Sequence, residues 1–132
     1  MNTMNVPART IAFDAAVSEA LERLRTDQPA SALEVLARAH VLGQPDFGRH
    51  LKVHWLMLRA AYAMRDGHEV AGQLLRLLLV PLGHLSGRLP KGNPGTADVS
   101  AFAPQPVAPD LQLLFDEDEP ARGKAEARER IS

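Results

Sequence analysis

The chemistry this sequence offers rests on five imidazoles: His40, His50, His54, His68 and His84. There is no cysteine, so disulfides, thiolate nucleophiles and zinc–thiolate sites are excluded. His50 and His54 stand at i and i+4, which turns both rings the same way on one helix. That is the spacing at which a helix offers two imidazoles to one metal ion. Neutral imidazole suits zinc, copper, iron and nickel, and an all-nitrogen set disfavours calcium and magnesium. Four imidazoles, or three with a carboxylate from Asp46 or Asp98, complete such a site. Other constellations are weaker. The paired Glu-x-x-His motifs of di-iron bundles are missing. Ser86 and Ser100 lie near His84 in sequence without forming a recognisable Ser-His-Asp arrangement. Gly92-Asn93-Pro94-Gly95 reads as a structural turn, and Met57 and Met64 as core.

Four helices must position these rings. The first runs from about Ile11 to Arg25, with Phe13, Val17, Leu21 and Leu24 at helical spacing. The second starts near Pro29 and ends at Gly43, with Leu33, Leu36 and His40 on its stripe. The third starts after Asp46 and runs to about Arg65; its stripe is Phe47, His50, Leu51, His54, Trp55, Leu58, Ala61 and Tyr62. The fourth begins near His68, with Val70, Leu74, Leu77, Pro81 and His84 on one stripe. Pro81 is expected to kink or end it.

Short connections make consecutive helices antiparallel neighbours. His40 then lies in the last turn of the second helix, and His50 and His54 in the first turns of the third. His50 is 16 residues before Asp66, and His84 is 17 after Gly67. At 1.5 Å per residue both stand roughly 25 Å from that turn. His40, His50, His54 and His84 are therefore expected at one level, with His68 at the opposite end.

The pattern predicts an all-α domain over residues 11–115, a four-helix antiparallel bundle made of two helical hairpins. A weak repeat pairs Asp27 to Leu36 with Asp66 to Leu75 at a spacing of 39, in the manner of tetratricopeptide hairpins. Gly87 to Pro109 is rich in Gly and Pro, and the stretch to Phe115 still carries apolar residues; it is expected to wrap the bundle as an extended segment. Residues 116–132 read as a charged mobile tail.

Composition narrows the partners. With 132 residues, 45% hydrophobic, the chain suits one domain with a real core. The formal net charge is −1, which gives no reason to expect nucleic acid or an anionic membrane. The longest apolar run, Leu77 to Leu82, is far too short to span a bilayer, and the N-terminus lacks the pattern of a secretory signal. A cytoplasmic location is expected.

Three blocks carry a family resemblance. They are Arg38-Ala39-His40-Val41-Leu42-Gly43-Gln44, then His50-x-x-x-His54-Trp55-x-Met57-Leu58, then the run from Pro81-Leu82-Gly83-His84 through Gly87-Arg88, Gly92-Asn93 and Ala97-Asp98-Val99-Ser100-Ala101-Phe102. In these the chain resembles a family of small bacterial helical proteins of unknown function, found near heavy-metal resistance genes. The resemblance covers roughly residues 13 to 115 and implies a helical domain in a metal-linked setting.

Three functions fit this reading. The first is a cytoplasmic accessory protein binding a transition-metal ion (zinc, copper or iron) through His40, His50, His54 and His84, with Asp98 as outer partner or fifth ligand. The segment from Gly87 to Phe102 would cover the site. The second is a tetratricopeptide-like module that binds a protein partner and uses its histidines structurally. The third is a small metal-dependent enzyme.

Overall fold

The computed structural model describes residues 6–118. These are all-helical with no strand among them. The elements are α1 (Ala8–Arg25), α2 (Pro29–Gly43), α3 (Phe47–Ala63), α4 (Gly67–Ser86) and a fifth helix, α5, over residues 109–118. Packing runs α1 on α2, α2 on α3 and α3 on α4. Phe13, Val17, Leu36, Val53, Met57 and Leu111 centre the hydrophobic core. No described helix is long and apolar enough to cross a membrane.

The two hairpins close alike. Asp27 and Arg65 both take positive φ, at 57° and 55°. In each turn a backbone N–H reaches back five residues, from Gln28 to Arg23 and from Asp66 to Ala61. These bonds satisfy carbonyls that a helix end would leave orphaned. The connection between the hairpins is tighter. Gly43 lies so close to Phe13 that a Cβ there would stand 2.5 Å from the ring.

Three expectations change. First, residues 109–118 are helical rather than extended. Leu111, Leu114 and Phe115 lie at i, i+3 and i+4 and pack on the core, which rewards a helix. Asp118 at its end accepts hydrogen bonds from the Ala8 and Arg9 N–H groups and so caps the open start of α1. Of the charged tail expected over 116–132, the part from 119 on lies outside the described residues. Second, of the two outcomes expected at Pro81, an end to the helix is excluded: α4 runs through it to Ser86 and stops at Gly87, whose φ of 72° makes a left-handed cap. Third, the inward faces of α3 and α4 are rotated from the apolar stripes. On α3 the buried residues include His50, Val53, His54, Met57, Ala60 and Ala61, while Phe47, Trp55 and Tyr62 are exposed. On α4 they are Glu69, Gln73, Arg76 and Val80, while Leu74 and Pro81 are exposed. The reason is polar: α4 turns hydrogen-bonding side chains inward to hold His54 and the segment after the helix, and most of its leucines are left exposed.

Candidate functional site

His40 in the last turn of α2 and His50 and His54 in the first turns of α3 are all buried. Their Nε2 atoms face one another. His40 lies 3.0 Å from His50 and 3.0 Å from His54, and His50 lies 3.2 Å from His54. The three form a group able to hold a metal ion.

The outer nitrogens set the protonation of the inner ones. His40 Nδ1 is 2.6 Å from the Asn93 carbonyl, which only accepts, so Nδ1–H donates. The neutral ring then carries a bare lone pair on Nε2. His54 Nδ1 is 2.7 Å from Gln73 Oε1. The Gln73 amide nitrogen is committed to Glu69 Oε1 and the Gly95 carbonyl, both at 2.8 Å, so Oε1 must be the acceptor. His54 Nε2 is therefore bare as well. Two lone pairs confront each other at 3.0 Å with no proton between them. His50 Nδ1 meets His84 Nε2 at 2.9 Å.

The surroundings keep the rings neutral. Burial, with His54 and His50 adjacent, holds His40 well below the usual histidine range. Burial, then the neighbouring His54 and His84, pushes His50 down to about 3. Burial pushes His54 down to about 4; the Gln73 bond opposes this and the Arg76 charge assists it. Neutral imidazoles are the form that ligates metal.

An irregular strap, residues 87–108, covers the group. Buried Asn93 ties it down: its side-chain nitrogen donates to the Ser100 and Ala103 carbonyls, and its Oδ1 accepts from the Gly95 N–H. The Glu69 carboxylate accepts from the Ala97 N–H, and Arg76 donates to the Thr96 and Val99 carbonyls. Gly95, at φ 82°, lies flat against the His40 ring, where a Cβ would stand 2.6 Å from Cδ2. Between strap and helices is a cavity of about 340 Å³, lined by the three imidazoles and by Leu79, Val80 and Phe102 among others.

Among the residues singled out from sequence, the structure brings His40, His50 and His54 into one group. His84 stands one hydrogen bond behind, half-buried and edge-on to Phe47. Asp98 is exposed, lies outside the group, and its charge bears on Arg76. Asp46 is held by Arg9 and Arg49, at 2.9 and 3.0 Å. His68 is exposed at the far end. Sequence reasoning missed Gln73, Glu69, Arg76 and Asn93. The signal was present: Glu69, Gln73 and Arg76 recur at i, i+4 and i+7, a polar stripe on a helix otherwise rich in leucine.

The sequence profile of a family described as protein of unknown function (DUF3703) matches residues 8–115. No curated protein and no solved structure matches the chain.

Proposed function

The chain belongs to the DUF3703 family, and because that description names no activity we propose a function from the site itself: a cytoplasmic accessory protein that binds a transition-metal ion through His40, His50 and His54. The carrying observation is the pair of unprotonated Nε2 atoms of His40 and His54, 3.0 Å apart and buried. Facing lone pairs repel unless a cation lies among them, and a single proton on His50 Nε2 could satisfy only one of the two. The spacing suits an ion. Zinc–nitrogen bonds of about 2.0–2.1 Å in a tetrahedral set hold the nitrogens roughly 3.3 Å apart. The observed separations are within a few tenths of an ångström of that. Neutral nitrogen donors favour zinc, copper or iron over calcium or magnesium. The metal-handling setting implied by the sequence resemblance supports the same reading.

Within it, Asn93 and Gln73 hold the Nδ1–H groups of His40 and His54, the usual duty of an outer shell. His84 does the same for His50, as a positioning residue. Asp98 has no part in the coordination. Metal analysis of protein purified without a histidine tag is the direct test. One ion per chain, lost on His50→Ala plus His54→Ala with helicity retained, is expected. Substoichiometric metal that the double substitution leaves unchanged would refute the proposal.

A second reading is favoured by the cavity of about 340 Å³. Three protein ligands leave a coordination position open, and an open position beside a cavity admits a small ligand or an activated water. Binding of azide or cyanide to cobalt- or copper-loaded protein, followed by its absorption spectrum, tests for that position. An unchanged spectrum counts against it.

A further inference from the structure

The outward face of α4 is apolar from Ala71 to Leu85. Leu75, Leu78, Leu82 and Leu85 are 50%, 73%, 60% and 87% exposed, and Ala71 precedes them on the same face. These five residues are spaced 4-3-4-3, the spacing of a coiled-coil seam. The flanking positions hold Gly72, Leu74, Leu79, Pro81 and Ser86, with no charge among them. A helix ordinarily turns such a stripe to the core. Here the core face is taken by Glu69, Gln73, Arg76 and Val80, so the seam points to solvent.

We propose that two copies of this chain pair through α4, seam against seam. A 4-3-4-3 stripe fits a partner helix of the same spacing, and α4 supplies one in every copy. Flanks without charge offer nothing to repel a like helix, and a two-fold axis lets one patch serve both sides. The area is adequate. By their fractional exposures the five leucines of the face, Leu74 included, leave roughly 600 Å² in water, and Trp55 and Tyr62, which with Arg59 share a groove with Leu74, bring the patch near the ~800 Å² per partner of a stable interface. Among the described residues, the chain's own C-terminal part does not cover it. α5 ends at Asp118 against the start of α1, the helix at the other edge of the packing order. Beyond it, residues 119–132 contain Ile131 as their sole large apolar side chain. The seam carries none of the three grouped histidines, so pairing and metal binding are separable.

Sedimentation equilibrium of the full chain across a concentration series tests this. The expected result is twice the chain mass, falling to the single-chain mass in Leu78→Glu plus Leu85→Glu. Both residues are exposed, so circular dichroism and metal content should match the parent. Leu113→Glu, an exposed leucine on α5, should leave the dimer intact. A parent chain that is monomeric throughout overturns the proposal, whether the face then takes a different protein or a lipid vesicle. A dimer that persists in the double variant overturns it equally.

Discussion

Gln73 Oε1 accepts the Nδ1–H of His54 at 2.7 Å while the Gln73 amide nitrogen is locked between Glu69 and Gly95. Gln73 is fully buried and lies on the turn of α4 directly behind His54. One side chain thereby fixes the tautomer of a histidine, ties α4 to α3, and anchors the strap. Gln73→Leu keeps the volume and removes the acceptor. It is expected to weaken metal binding by about 10–100-fold, as loss of an outer-shell partner does. Competition titration against a chromophoric chelator measures this. Unaltered affinity would mean that His54 needs no orienting partner.

The histidines around the group should rank by position. His40→Gln is expected to abolish stoichiometric binding, since His40 Nε2 touches both other nitrogens. His84→Gln reaches the ion only through His50 and should cost about 10–100-fold. Asp98→Asn should change nothing, because Asp98 is exposed and outside the group. The same titration reads all three. An Asp98→Asn variant that loses metal would bring the carboxylate back into the coordination set.

Acid should destabilise the metal-free chain. His50 and His54 are held near 3 and 4 by burial, below their ordinary 6.5. Between those values the unfolded chain binds more protons than the folded one. Stability is therefore complete above about 6.5, falls as pH drops through the window, and levels off once the folded rings also protonate near 3 to 4. Urea unfolding of chelator-treated protein at a series of pH values checks the sign. A midpoint independent of pH across that window would show that the rings are not held neutral.

Gly95 and Gly87 share a left-handed backbone but not a neighbourhood. Their φ values are 82° and 72°; an added Cβ at Gly95 meets the His40 ring at 2.6 Å, and at Gly87 it meets nothing. Gly87→Ala should cost only the conformational penalty of about 1 kcal/mol. Gly95→Ala must also displace His40, so it should lose more stability and most of its metal. Thermal unfolding with metal analysis separates the two. Equal behaviour of the pair would remove the close approach as a reason for Gly95.

Ligand linkage gives a last expectation. An ion that binds the folded chain alone stabilises it by about 2.7 kcal/mol at a hundredfold excess over Kd. Adding zinc, copper or iron to chelator-treated protein should raise the unfolding temperature in a concentration-dependent way. The rise should vanish in His50→Ala plus His54→Ala. A rise that survives the double substitution would place the binding elsewhere.

The sequence by itself determined the four main helices and the order of the histidines along them. Pro29, Gly43, Asp66 and Gly87 punctuate the chain, and helix ends depend on local backbone preference. The i, i+4 spacing of His50 and His54 needed no tertiary information either, because a helix's own period sets which residues share a face. Helix lengths alone sufficed to bring His40 and His84 to their level. Tertiary structure decided which face of α3 and α4 turns inward. Apolar periodicity pointed to the leucines of α4, yet Glu69, Gln73 and Arg76 are inside because each finds hydrogen-bond partners on His54 or the strap. Those partners are distant in sequence, so no local pattern could reveal that burying polar groups there would be offset. The same holds for α5, whose three inward apolar residues signal a helix only once the core they pack on exists. The i, i+4 pair was legible in the chain. That the Nε2 atoms of His54 and His40 face each other stripped of protons was decided by Gln73 and Asn93, brought in from 19 and 53 residues away.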